Sequence, residues 1–278
     1  MKWFTRLLEF YLNSSIHVAL SVVSFLVITQ ERFNIMYKYE LLFFVFFSTI
    51  TGYNFIKYAG VAKFHHRSLT KSLRIIQIFS FFCFVLMVYF FFQLSMPTIK
   101  LVAVFAAITF FYAIPFVPKL LSPIDENKNL RSISGIKIYV IALVWAGVTV
   151  ILPFFEMGIA LYHDVWIETA QRFLWVILLM IPFEIRDMKY DSIKLGTIPQ
   201  KIGIKRTKRI ALFLVIILFA LEFFRDDFST FQVGISLFVL LLLSVLLIRS
   251  TPKQNKYYSA LWVEGIPIFW LVLILILK

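Results

Sequence analysis

Glu184, Asp187 and Asp191 stand at i, i+3 and i+7 in the stretch EIRDMKYDSIKLGTIPQKIG, residues 184–203. On a helix, that spacing stacks three carboxylates on one side. Oxygen donors of this kind suit a hard cation such as Mg²⁺, which keeps several waters, takes one or two carboxylates and completes its shell with phosphate oxygens. Arg186, Lys189, Lys194 and Lys201 interleave with the acids. Acids and bases together suit a metal-bound diphosphate better than a bare metal cage. The same charges also admit a plainer arrangement, in which the acids pair with Arg186, Lys189 and Lys194 in a solvated turn, each pair contributing at most about 1 kcal/mol.

The elements that must position these groups lie in lipid. Of the 278 residues, 61% are hydrophobic and 15% charged. Apolar runs cover residues 12–29, 40–57, 72–94, 97–116, 136–155, 166–185, 210–224, 230–248 and 258–277, each near the ~20 residues that span a bilayer as a helix. They are continuously apolar, whereas barrel strands would alternate. The expectation is an all-α, polytopic membrane protein of about nine transmembrane helices forming one domain over 1–278. The first run has no small-residue cleavage site and reads as a retained helix.

Charge is distributed unequally between the gaps. Lys57, Lys63, Arg67, Lys71 and Arg74 follow the second run, and Arg186, Lys189, Lys194, Lys201, Lys205, Arg206, Lys208 and Arg209 follow the sixth. The gaps of the other parity carry Glu156, His163, Asp164 and Glu168, then Glu222, Arg225, Asp226 and Asp227. The positive-inside rule makes the first set cytoplasmic and, with Lys2 and Arg6, the N-terminus too, a pattern that suits a bacterial plasma membrane. The net charge of +13 then reflects topology and anionic headgroups, at about 1 kcal/mol per juxtamembrane Lys or Arg, and not nucleic acid. No internal repeat or intramembrane charged pair stands out, which argues against a solute transporter. Glu264 lies inside the last run, where an ionisable group is either a functional residue or a helix-packing hydrogen bonder.

Asp187-Met-Lys-Tyr-Asp191, followed by Lys194-Leu-Gly196-Thr197-Ile-Pro199-Gln-Lys-Ile-Gly203, resembles the second aspartate-rich motif of the UbiA superfamily of intramembrane prenyltransferases. That motif is D-x-x-x-D, a basic residue, T-x-P and a closing glycine. Its place after the sixth of nine spans also agrees, and residues 111–124 with Lys119, then 135–153, resemble the stretch after the fourth helix and the fifth helix. The resemblance implies a lipid-accessible central cavity capped by segments near 57–74, 117–135 and 186–209. It implies transfer of an isoprenyl group from a prenyl diphosphate to a lipophilic, commonly aromatic, acceptor, with membrane lipids as surroundings. Asp187 and Asp191 would be catalytic and hold Mg²⁺, with Glu184 as a further ligand. Asn54, Lys57, Lys63, Arg67, Lys119, Arg186 and Lys194 would bind the substrate.

The family's first motif, N-D-x-x-D-x-x-x-D, is degenerate here. Asn54 persists, but Phe55, Tyr58 and Ala62 stand where the three acids belong. Three readings remain open. One Mg²⁺ on Asp187 and Asp191 suffices while Lys57, Lys63 and Arg67 neutralise phosphate oxygens directly; or the donor carries less charge; or the chain binds an isoprenoid or lipid without catalysis.

Overall fold

The computed structural model describes the backbone of residues 2–64, 71–113, 135–188 and 196–278, and their side chains except at 2, 59–64, 71–72 and 112–113. All regular structure among the described residues is helical. In order the helices are α1 (Lys2–Asn13), α2 (Ile16–Arg32), α3 (Tyr39–Phe64), α4 (Lys71–Phe91), α5 (Met96–Ala113), α6 (Ile136–Ala146), α7 (Leu152–Met157), α8 (His163–Asp187), the short α9 (Ile198–Ile202), α10 (Ile204–Ala220), α11 (Thr230–Arg249) and α12 (Ile266–Leu277). π-helical turns at Gly147–Ile151 and Tyr258–Val263 join α6 to α7 and lead into α12. Helices are the expected outcome, because a backbone surrounded by hydrocarbon must satisfy its own N–H and C=O groups.

Each of the nine apolar runs falls on helix within the described residues. Six spans are long and apolar enough to cross a membrane singly, and α1 with α2, bent by 56°, makes a seventh. The chain is an integral membrane protein.

Burial separates the inside of the bundle from its lipid face. In the most apolar window of α8, 67% is buried, against 11% in α4. Around α8 the core is filled by large rings: Phe25 lies within 6.3–6.4 Å of Trp145, Trp175 and Trp270. α4 instead leaves Phe81, Phe82 and Tyr89 exposed, as a helix facing acyl chains should, since lipid is as apolar as the side chains. Cys83 is the exception on α4 and packs inward as a small hydrophobe. α5 comes close to the first π turn because Gly147 has no side chain: a Cβ there would sit 2.0 Å from the Phe105 ring.

Candidate functional site

The break between α1 and α2 is the local structure from which the site begins. Ser15 adopts a left-handed conformation, φ 64°, and a broken helix inside a bundle leaves carbonyls that need donors. Asn54 of α3 supplies one: its Nδ2 donates to Ser14 O at 3.0 Å and to Ser80 Oγ at 2.7 Å, while its Oδ1 accepts from Ser15 Oγ at 2.8 Å. The amide is buried and both its N–H groups are used, so Asn54 fixes the break and is linked to Lys57 through Ser15.

One helical turn on, Lys57 Nζ donates to Ser15 Oγ at 2.8 Å. Residues at i and i+3 share a helix face; Asn54 is buried on it and Lys57, one turn on, is exposed. Phe55 is turned outward and 54% exposed. The Tyr58 hydroxyl donates to Asn13 O at 3.0 Å. On this face of α3 a lysine stands where the family pattern expects acids nearby.

The last turn of α8 provides the second wall. Glu184 is buried. Arg186 donates to Asp187 through Nε at 2.7 Å and Nη2 at 3.2 Å, and its guanidinium lies 5.2 Å from the Phe183 ring centre. The acid and base pairing of the plainer sequence reading is thus present for Arg186 and Asp187. Gln254 Nε2 donates to Pro182 O at 2.8 Å, which ties the loop before the second π turn to this end of α8.

That π turn delivers the third wall, Glu264, which lies within electrostatic reach of Lys57 and Arg186 and of Tyr11. π turns shift the register of a helix and often mark functional positions. His17 Nε2 donates to Leu261 O at 3.0 Å, which leaves Nδ1 to accept from the Tyr11 hydroxyl at 2.7 Å. Gly265 leaves room for this arrangement, because a Cβ there would lie 2.5 Å from Leu261 O and 3.4 Å from the His17 ring. Gly265→Ala is therefore expected to destabilise the protein by about 1–3 kcal/mol, the usual range for overpacking. Thermal unfolding in detergent measures it, and an unchanged midpoint would contradict the tight packing.

The structure also explains the T-x-P and glycine part of the second motif. Thr197 precedes α9 as its N-cap, with its backbone N–H donating to Gln200 Oε1 at 3.0 Å. Pro199 sits in the first turn, and Gly203 ends the helix at φ 79°. These are helix start and stop signals. They turn the chain from α8 back into α10.

Comparison with solved structures gives one similar chain, the apo structure of a UbiA homolog from Aeropyrum pernix K1. The alignment covers 94% of this chain and 98% of that one, with a TM-score of 0.64 and 16% sequence identity. The chain has a UbiA-type fold. No family model matches the sequence, and no curated protein does.

Within this UbiA-type fold, Asn54 and Lys57 are joined through Ser15, and Glu184, Arg186 and Asp187 share the last turn of α8. Asp191, Arg67, Lys119 and Lys194 lie outside the described residues, as does the side chain of Lys63 and most of the three cap segments. Among the described residues, no three His, Cys, Asp or Glu side chains converge. Asp187 is bridged by Arg186, and Asp191, the other carboxylate expected to hold magnesium, lies outside the described residues.

A second polar cluster lies at the opposite end of the bundle. Glu168 and Glu222 are surrounded by Arg32, Arg172 and Arg225. Arg32 donates to both glutamates at 3.1 Å, and Arg225 bonds Glu168 and, at 2.6 Å, Gln171. Arg172, fully buried within α8, also donates to Phe25 O at 2.6 Å and lies 4.2 Å over the Phe25 ring. The absence of an intramembrane charged pair, expected from sequence, is therefore corrected: Glu168 and Arg172 are such a pair. The signal was their i, i+4 spacing inside the run 166–185, the geometry of a helical ion pair.

Proposed function

We propose that the chain is a membrane-embedded prenyltransferase-like enzyme that moves an isoprenyl group from a prenyl diphosphate to a lipophilic acceptor, in keeping with an aromatic one. The single observation that supports this most is the apolar bundle of UbiA type, which carries the Ser15-anchored Lys57 on α3 and Arg186 in the last turn of α8. Lys57 and Arg186 bind the diphosphate oxygens and stabilise the charge that grows as the allylic C–O bond breaks. Ser15 and Asn54 hold Lys57 in place. The isoprenyl tail lies among the apolar helices, where little water is present to capture the allylic cation before the acceptor does. Asp187, Asp191 and Glu184 serve the diphosphate end of the site, and Lys63, Arg67, Lys119 and Lys194 contribute positive charge to headgroup binding. This end faces the cytoplasm of a bacterial plasma membrane, with the N-terminus on the same side.

One observation favours a second reading. Phe55 and Tyr58 point away from or around the site instead of supplying acids, so a protein that binds the isoprenoid without ionising it is the rival. Purified protein in nanodiscs, incubated with a panel of prenyl diphosphates and quinone-type acceptors with and without Mg²⁺, separates the two by pyrophosphate release. Release is expected, and it should disappear in Asp187→Asn/Asp191→Asn. Tight binding with no release would favour the rival, and release that survives the double substitution would remove both aspartates from the site.

A further inference from the structure

The basic run Lys205-Arg206-Thr207-Lys208-Arg209 opens α10, and the helix divides it. Thr207 and Ala211 turn inward and are buried, with the Thr207 hydroxyl donating to Gly203 O at 2.9 Å. Lys208 is committed to the neighbouring helix: its Nζ donates to Ile248 O, in the last turn of α11, at 2.7 Å. Arg206 and Arg209 are left exposed on the outer face. Ile210 and Phe213 continue that face, 46% and 61% exposed. The four residues stand at i, i+3, i+4 and i+7, the spacing of one helical stripe, and together they line an open groove of about 420 Å³. Among the described residues neither guanidinium has a carboxylate partner, and the first turn of α10 contains no acid.

We propose that Arg206, Arg209, Ile210 and Phe213 form a binding site for an anionic phospholipid of the surrounding leaflet. Helical side chains lean toward the N-terminus of their helix, so the two guanidinium groups are carried toward the bundle end, while Phe213 lies about 10 Å further along the axis at 1.5 Å per residue. Charge at the end of the span and apolar surface below it is the order of a lipid headgroup and its acyl chain. Two arginines one turn apart repel each other, and the positive end of the helix dipole opposes both. An anion from outside the chain offsets all three terms. The guanidinium fork matches the paired oxygens of a phosphate. A free phosphate would engage the arginines and leave Ile210 and Phe213 unused, whereas a phospholipid engages all four. A zwitterionic lipid brings an ammonium group into the same positive field, so the site selects a headgroup with net negative charge. Lys201 and Lys253, also exposed, carry equal charge outside this groove and contribute only to the general attraction of basic residues for the membrane surface. The proposal stands apart from the diphosphate reading, and neither requires the other.

The test is native mass spectrometry of delipidated protein in detergent, titrated with dioleoyl phosphatidylglycerol, dioleoyl phosphatidylcholine and inorganic phosphate. Wild type should prefer the phosphatidylglycerol by about thirtyfold, the factor expected of two basic side chains beside an anionic headgroup. Arg206→Gln/Arg209→Gln should erase that preference. Arg206→Lys/Arg209→Lys keeps the charge without the fork and should fall between the two. Lys201→Gln/Lys253→Gln removes the same charge elsewhere and should leave the preference intact. Phe213→Ala should weaken both lipids and leave their ratio unchanged. All the substituted side chains are exposed, so every variant should melt at the wild-type temperature. Equal binding of the two lipids by wild type, or a preference that survives Arg206→Gln/Arg209→Gln, would overturn the site. An equal loss in Lys201→Gln/Lys253→Gln would replace it with a diffuse surface field, and displacement of the lipid by an equal concentration of inorganic phosphate would reduce it to a free-anion contact.

Discussion

Glu168→Gln is expected to lower the unfolding free energy by about 3–5 kcal/mol, the cost of leaving buried charges without their partner. The carboxylate is the hub of the outer cluster: Arg32, Arg172 and Arg225 all bond it. Glutamine keeps the shape and loses the charge, so Arg32 and Arg225 would retain only Glu222 and Arg172 would lose its carboxylate partner. At an effective dielectric constant near 20, one contact at 4 Å is worth about 4 kcal/mol, and the arginines cannot shed their protons to avoid the loss. Arg172→Met should be milder, because Glu168 would retain Arg32 and Arg225. Denaturant unfolding in detergent, followed by fluorescence of Trp175 and Trp270, which pack 4.9 Å apart in the core, gives both values. A Glu168→Gln protein within 1 kcal/mol of wild type would show that the cluster behaves like a surface ion pair.

The cluster bears on the site although it lies at the other end. It joins the end of α2 to the first half of α8 and to the segment after α10. The far ends of two of those helices carry Ser15 and Arg186. Helices packed along their length move as units, so fixing α2 against α8 at one end fixes the register of the lysine anchor against the arginine at the other.

The helical architecture was legible because it depends on one strong signal. Runs of apolar residues near membrane length admit few structures, and their ends could be read to within a few residues. The second motif was legible for a similar reason, since Thr197, Pro199 and Gly203 carry local instructions for starting and stopping α9. Pairings across the bundle were not. That Lys57 meets Ser15 over 42 residues, or that Glu168 meets Arg225 over 57, follows from packing angles that composition does not encode. The break at Ser14 and Ser15 was also missed. Neither residue is a helix breaker, and the left-handed turn at Ser15 is held by Asn54 from another helix. The same hidden contact adds to the reading of Asn54, which braces the α1–α2 break and meets the Ser15 hydroxyl that also accepts from Lys57.

Lys57→Met should weaken binding of a prenyl diphosphate by about tenfold or more, in keeping with the ~1.5–3 kcal/mol of a hydrogen bond to a charged group. Glu264 lies within electrostatic reach of Lys57, so the single variant removes both the ammonium and its field on the carboxylate. Lys57→Met/Glu264→Gln divides the two. The double variant should still bind diphosphate more weakly than wild type, and the departure from additivity measures how strongly the two side chains are coupled. Full recovery of affinity in the double variant would mean that Lys57 serves only to neutralise Glu264, and the cation that meets the diphosphate would have to be sought on α8.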